Sequence, residues 1–385
     1  MRYFFLAGER SGDLHAGNLA AAMKAMDPTV ELSGWGGLKM ESAGVNILQR
    51  YEEMAFMGFW EVLKNLGKIR QFMTLAHRHI EDFRPDALIL VDYAGFNLRL
   101  ARWAKARGIR VFYYIAPKAW AWNKSRVHQL RKYTDLTLVI FPFEVPFFEK
   151  YGVRVQYVGN PLFDEIRRFA PDPGFLADRG NRPVVALLPG SRAQEIRAML
   201  KIMAGLSTER PDITWVVAGV STFDPAFYAD GERNFELVFD RTYDLLGIAD
   251  AAVVTSGTAT LETALFRVPQ VVVYKTSALT YAIARLLVKL QFISLVNLVA
   301  GKEVVKELIQ GQYTLKQVGN EVKKLLSDNK VRENQLKEYQ VLRKEFGDRH
   351  ASEAAAEAIL NFQEQAGLIP PFHTVKKADG DLPPD

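Results

Sequence analysis

Leu187-Leu188-Pro189-Gly190-Ser191-Arg192 closes one apolar run, Val184 to Leu188, and Ser256-Gly257-Thr258-Ala259-Thr260-Leu261-Glu262 follows another, Ala251 to Val254. Each run reads as a buried strand that turns through glycine into a helix. That geometry aims backbone N–H groups and the positive end of a helix dipole at one place, where a phosphate can sit. Arg192 adds a permanent charge in a fork geometry that suits phosphate oxygens. Glu262 lies about one turn inside the second helix, where a carboxylate can accept from the two hydroxyls of a ribose. A diphosphate beside a ribose is a nucleotide diphosphate. Gly190, Ser191, Arg192, Ser256, Gly257, Thr258, Ala259, Thr260 and Glu262 are therefore the expected nucleotide set. Either segment alone is ordinary strand-to-helix loop and N-cap chemistry; the pair, one with an arginine and one with a glutamate, carries the reading.

Outward from these segments, strand-like runs alternate with helical patterns, which is the mark of parallel α/β architecture. The first half reads as strands Tyr3–Ala7, Glu31–Gly34, Ala87–Val91, Val111–Ile115, Leu136–Phe141 and Val155–Val158, with helices Asp13–Met26, Phe59–Phe83 and Leu98–Arg107 among them. A Pro- and Gly-containing stretch around Pro171, Pro173 and Gly174 precedes the second half. There the strands are Val184–Leu188, Thr214–Ala218, Glu236–Phe239, Ala251–Val254 and Gln270–Tyr274. The expected domains are 1–165 and 166–365, both doubly wound and Rossmann-like, meeting at a cleft by the carboxyl ends of their strands. From Ser277 the pattern is nearly all helical through Glu364, and this segment can pack on the first domain or on a second copy of the chain in a homodimer. The polar, Pro-rich tail 370–385 reads as disordered.

The chain has 385 residues, 49% hydrophobic and 24% charged, the balance of a globular protein with room for two cores. It has no cysteine, which excludes disulfides and thiolate metal sites and fits a reducing compartment. The first residues lack a signal-peptide apolar region, and no run of eighteen apolar residues occurs. A net charge of +5, unclustered, favours anionic ligands or an anionic lipid surface and does not argue for nucleic acid. No metal site is expected: His77 and His79 point to different helix faces, His15, His128, His350 and His373 are scattered, Asp224 lies in an unpaired loop before Pro225, and Asp379-Gly380-Asp381 lies in the tail.

The first domain should supply the second substrate and the chemistry. Asp92 stands at the carboxyl end of a parallel strand, where a base for a hydroxyl is needed. The acidic loop Gly8-Glu9-Arg10-Ser11-Gly12-Asp13 offers Glu9 or Asp13 as the alternative base, or merely a helix cap in the case of Ser11 and Asp13. Ser11, Gly12, Asn97, Trp120 and Trp122 are the expected acceptor or pocket residues. Two tryptophans two apart cannot share a helix face, so at least one lines a pocket or holds a loop. In the helix 59–83 the stripe Phe59, Val62, Leu63, Leu66, Ile69 and Met73 reads as buried. Trp60, Phe72 and Leu75 fall off that stripe beside Lys64 and Lys68, the pattern of a membrane contact, a greasy substrate entrance or a second packed face.

Taken together, GERSGD (8–13), MGFWEVL (57–63), VDYAGFN (91–97), PKAWAWN (117–123), FPFE (141–144), LLPGSRAQEI (187–196), SGTATLE (256–262) and SLVNLVAG (294–301) ahead of KEVVKELIQ resemble one family, the bacterial lipid-A-disaccharide synthases. The resemblance spans most of Met1 to Gln310. It implies a GT-B fold and an inverting transfer from UDP-2,3-diacylglucosamine to 2,3-diacylglucosamine 1-phosphate, releasing UDP, at the inner face of the cytoplasmic membrane, with no cofactor and no metal. On that reading Asp92 is the base, Arg192 and the N–H groups of Ser256 to Ala259 take the charge on UDP, Glu262 holds the ribose, and Asn297 fixes the donor or the closed cleft. Arg10 and Asn123 depart from the commoner residues at their positions, which leaves acyl preference open. Other readings are another UDP-sugar GT-B enzyme, such as a cell-wall glycosyltransferase or a UDP-sugar 2-epimerase, and a non-catalytic nucleotide-sugar sensor.

Overall fold

The strands whose side chains are apolar on both faces become the centre of two parallel sheets, as burial on both faces requires. The computed structural model describes residues 1–53, 66–120, 125–175, 181–228, 234–277, 281 and 291–365. In the first sheet the strands are β1 (Arg2–Ala7), β2 (Glu31–Gly36), β3 (Asn46–Arg50), β4 (Ala87–Val91), β5 (Arg110–Tyr114), β6 (Leu136–Val139) and β7 (Val155–Tyr157), in the order β3-β2-β1-β4-β5-β6-β7. Its helices are α1 (Arg10–Met26), α2 (Leu38–Ser42), α3 (Leu66–Phe83), α4 (Ala94–Ala106), α5 (Ser125–Tyr133) and α6 (Glu144–Glu149). Alternate residues of β1 feed opposite cores. Tyr3 and Phe5 pack with Leu19 and Met23 of α1, while Phe4 and Leu6 pack with Ala76 and Ile80 of α3 and Leu100 of α4.

After α7 (Pro161–Arg168), the second sheet holds β8 (Val184–Leu188), β9 (Thr214–Gly219), β10 (Phe235–Phe239), β11 (Ala251–Thr255), β12 (Gln270–Tyr274) and β13 (Lys306–Ile309), ordered β10-β9-β8-β11-β12-β13. The helices there are α8 (Ala193–Glu209), α9 (Thr242–Ile248), α10 (Thr258–Leu265), α11 (Leu295–Ala300), α12 (Leu315–Ser327) and α13 (Asn329–Phe346). The last helix, α14 (Ala351–Gln365), does not stay with them. Ala355, Ala356 and Ile359 join the core built on α1, so the chain divides into Met1–Pro161 with the chain from Asp348, and Leu162–Gly347. The expected range 166–365 differs from this division at its end for that reason. This last helix packs against α1.

Two edge strands depart from the expected pattern. β3 and β13 are partly exposed along their length, so neither shows the apolar run of a central strand, and β13 falls inside a stretch expected to be helical. Part of the second apolar face of the expected helix 59–83 meets the first unit's core. Phe72 and Leu75 are half-buried against the first unit's core, and the Phe72 ring meets Trp35 edge-on at 6.3 Å. At these two positions the face is partly packed, and Lys68 is exposed. Trp60 and Lys64 lie outside the described residues, as do Trp122 and the tail 370–385. Among the described residues no helix is long and apolar enough to cross a membrane.

Candidate functional site

β4 ends in a sharp turn. Asp92 and Tyr93 both take left-handed backbone conformations, φ 47° and 46°, before α4 begins. Such residues carry about 1–3 kcal/mol of strain each and persist only where neighbours hold them. Here the Asn97 amide donates from Nδ2 to the carbonyls of Val91 (3.2 Å) and Asp92 (2.8 Å), and the Tyr113 hydroxyl donates to the same Asp92 carbonyl at 2.5 Å. The Tyr93 ring lies against Gly8, where any Cβ would collide with it. The turn therefore depends on a glycine at the end of β1. Asn97 is fully buried and shapes the backbone of Asp92; it is not in the pocket that Asp92 lines.

That pocket, of about 490 Å³, opens beside the carboxyl ends of β4 and β5, and its polar lining is Glu9, Asp92, Arg99, Lys118 and Arg126. The Asp92 side chain reaches solvent through the pocket, but the surrounding protein removes enough water to push its carboxyl above the usual range. The charges of Lys118 and Arg126 and a backbone N–H at Tyr93 pull the other way. Lys118 is delivered by a strained turn at Ile115, φ 63°, an outlier for a β-branched residue. The loop is fixed two residues on, where the Trp120 indole donates to Glu144 at 3.0 Å. Glu144 also accepts from the N–H groups of Ile140 (3.2 Å) and Phe141 (3.1 Å). Its burial pushes the carboxyl up to about 7 against those hydrogen bonds and the Lys118 charge. Trp120 thus holds a loop.

The acidic first loop separates into two roles. Glu9 reaches the Asp92 pocket. Asp13 does not: it is 3% exposed, and its carboxylate accepts from Gly37 (2.7 Å), Lys39 (3.0 Å) and Met40 (3.2 Å), so it anchors the start of α2. Its expected part as alternative base has no support in this geometry, because both oxygens are engaged in the interior. Ser11 is exposed in the first turn of α1, and Gly12 is buried there, its Cβ position 3.4 Å from Ala7.

In the second unit Gly190 has φ 106°, and a Cβ there would fall 2.8 Å from a Glu195 oxygen. The exposed Arg192 guanidinium pairs with Glu195 at 3.0 Å. Tyr274, at the end of β12, is close enough to feel Glu195 and Arg192, with burial the main cause of its raised pKa. At α10, Gly257 and Thr258 are exposed, while Ser256 is engaged: its N–H donates to Val273 (3.1 Å) and its hydroxyl to Ile293 (2.8 Å). Thr260 is buried, bonded through its hydroxyl to the Gly257 carbonyl and the Leu295 N–H. Only Gly257 to Ala259 therefore remain of the N–H groups expected to face a diphosphate. Ala259 is half-buried beside them. Glu262 is pushed up by burial and held down by the Tyr243 hydroxyl, which donates to it at 2.9 Å.

Asn297 is corrected. It is fully buried, donates to Val305 (2.8 Å) and Glu307 (2.9 Å), and accepts from the N–H groups of Val304 (2.7 Å) and Val305 (2.9 Å). All four of its hydrogen-bonding positions are spent inside the unit, so it closes the α11–β13 turn. Tyr113, Lys118, Arg126, Glu144, Tyr243 and Tyr274 had no expected role. Lys118 and Glu144 sit within quoted motifs; the three tyrosines are strand or helix residues with no pattern that marks them.

Two solved structures share this architecture. CalG4, the calicheamicin glycosyltransferase, superposes with TM-score 0.61 at 16% identity, over 94% of this chain and 98% of that one. The S. aureus MnaA–UDP co-structure superposes with TM-score 0.66 at 12% identity, over 99% and 100%. The fold places the chain among the two-domain GT-B proteins. A family model described as lipid-A-disaccharide synthetase matches residues 3–361. Lipid-A-disaccharide synthases from Myxococcus xanthus (38% identity, 96% of this chain, 98% of the relative) and Syntrophus aciditrophicus (40%, 91% and 95%) match it along nearly their whole length. The chain belongs to the lipid-A-disaccharide synthase family and is a glycosyltransferase.

Proposed function

We propose that this enzyme transfers a 2,3-diacylglucosamine unit from its UDP derivative to the 6-hydroxyl of 2,3-diacylglucosamine 1-phosphate, with inversion at the anomeric carbon. The Asp92 carboxylate takes the hydroxyl proton as the oxygen attacks, the bond from the anomeric carbon to the UDP oxygen breaks, and the electron pair leaves with the diphosphate. Arg192 turns from Glu195 to that diphosphate; an exposed ion pair is worth about 0–1 kcal/mol and yields readily. The N–H groups of Gly257, Thr258 and Ala259 share the charge. A Cβ at Gly257 would meet open space, so the backbone there is open to a ligand. Glu262 holds the ribose, with Tyr243 fixing one of its oxygens.

The observation that carries the reading is Asp92: a carboxylate at a strand end, its backbone carbonyl held by Asn97 and Tyr113, in a pocket with Glu9 and three cations. On this reading Arg192 and the N–H groups at the start of α10 carry the leaving-group charge without a metal. Acylated substrates put the enzyme at the inner membrane surface as a peripheral protein. The test is a detergent-micelle assay with both substrates, followed by mass and run with and without EDTA. Disaccharide in both arms supports the reading. Tight UDP binding without disaccharide overturns the substrate assignment, and EDTA-sensitive product restored by magnesium overturns the metal-free step.

A further inference from the structure

The Asp92 pocket shares a wall with a second cavity. Ile69 and Arg99 line both, and the second, of about 280 Å³ between α3 and α4, is completed by Arg70, Met73, His77 and Trp103. The two differ in chemistry. The first gathers the carboxylates and the ammonium and guanidinium groups. The second is walled by Ile69, Met73 and the Trp103 ring, with the exposed Arg70 and Arg99 beside them. His77 stacks flat on Trp103, centroids 4.1 Å apart. Burial, with the Arg107 charge adding to it, holds the His77 pKa below the ordinary imidazole value against the opposing charge of Glu81. The apolar part of the wall is Ile69, Met73 and Trp103, whose ring carries both His77 and the Arg107 guanidinium, 4.2 Å from its centroid, while Arg70 and Arg99 complete the lining.

The charges acting on Asp92 are those of Lys118 and Arg126, whereas Arg99 stands where the two cavities meet. A sugar with a 6-hydroxyl at one end and a 1-phosphate at the other fits that polarity. Carbons 1 and 2 of the ring are neighbours, so a phosphate anchored at the junction brings the acyl group on carbon 2 to the mouth of the second cavity. We propose that the acceptor lies from Asp92 to Arg99, with its phosphate on the Arg99 guanidinium and its 2-acyl chain along Ile69, Met73 and Trp103. The proposal rests on the acceptor assigned under the proposed function and adds its direction and its acyl subsite. Arg99 suits phosphate because its donors form a fork. Each methylene buried along the cavity is worth about fourfold in affinity.

The test uses full-length enzyme and two ratios of kcat/KM. The first compares acceptors with a long and a short N-acyl chain. Met73→Trp fills the cavity, and the long-to-short ratio is expected to fall about tenfold or more against wild type. The second compares 2,3-diacylglucosamine with and without the 1-phosphate; in Arg99→Ala the preference for the phosphorylated form is expected to fall about tenfold or more. Ratios cancel a general loss of folded enzyme, and Met73→Phe carries the same comparison if the tryptophan variant does not fold. A wild-type chain-length ratio in the cavity variants overturns the acyl subsite. A wild-type phosphate preference in Arg99→Ala overturns the direction. Wild-type enzyme that makes no disaccharide fails before either ratio is read, and overturns the acceptor reading with this one.

Discussion

The Asn97 amide donates to the carbonyl oxygen of Asp92, 2.8 Å away. The bond acts on the backbone beside the base and leaves the carboxyl group free for the pocket. Removing it relaxes a turn that two left-handed residues make costly, and a misplaced base loses rate far more than binding. Asn97→Ala is expected to lower kcat about 10–100-fold with UDP affinity near wild type. Stopped-turnover and equilibrium UDP titrations separate the two. A wild-type kcat would show that the turn holds without Asn97.

Asp92 must be ionised to accept a proton, so activity falls as pH drops through its pKa. Burial places that pKa above the ordinary carboxylate range, and Lys118 opposes the shift. The acid limb of kcat/KM should lie above the range of an exposed aspartate, and Lys118→Met should move it higher still. A limb that moves down, or does not move, would remove Lys118 from the electrostatics of the base. Asp92→Asn should keep UDP binding and lose nearly all turnover.

Arg192 carries the leaving-group charge in the proposed mechanism, although in this structure it rests on Glu195. Arg192→Ala is expected to reduce kcat about 10²-fold or more, as removal of other transition-state charges does. Glu195→Gln tests the resting pair separately: it frees the guanidinium without removing it, and turnover should change little. Near-wild-type kcat in Arg192→Ala sinks the assignment.

The sequence marked the central strands and both strand-to-helix glycine turns because residues buried on both faces leave unbroken apolar runs, as in Ala87–Val91 and Val184–Leu188. It marked Asp92 because a strand end is a position that local pattern defines. The edge strands β3 and β13 escaped because half-exposed residues follow no such pattern. Asp13, Asn97 and Asn297 were legible as polar residues in family motifs, but their partners are the N–H groups of Gly37, Val304 and Val305 and the Asp92 carbonyl. A motif letter does not tell a side chain that faces a ligand from one that holds the loop beside it. Phe72 and Leu75 show the same limit for periodicity, since a helix wheel gives the faces of a helix and not what covers the second one.

Glu144 makes a pH dependence with a defined sign. Its carboxyl sits at about 7 when folded against an ordinary value of 4.5. The folded state therefore binds the proton more tightly, and the resulting stabilisation is complete below the ordinary value and lost as pH rises through about 7. Glu144→Gln has no such proton. The stability of wild type relative to that variant should fall between about pH 5 and pH 8, by up to roughly 3 kcal/mol. Trp120→Phe removes a hydrogen bond that favours the ionised form and should move the transition to higher pH. Denaturation at several pH values reads both, and parallel curves for wild type and Glu144→Gln would place the group's titration outside this window.

Asn297 offers the sharpest division between a structural and a donor-binding role. Its side chain spans Val304, Val305 and Glu307, and Glu307 in turn accepts from Ile293 (2.9 Å) and Ser294 (2.9 Å) at the start of α11. Deleting the amide leaves the Val304 and Val305 N–H groups and the Val305 carbonyl without this partner in the interior, at about 1–3 kcal/mol for each group left unmade. Asn297→Ala is therefore expected to lose on the order of 3 kcal/mol or more and to lower Tm. Well below that Tm, the folded fraction should bind UDP as wild type does. Denaturant melts and UDP titration on the same preparation decide it. A variant with wild-type stability and weakened UDP binding would return Asn297 to the donor site, and would mean that the turn it closes is held by Glu307 alone.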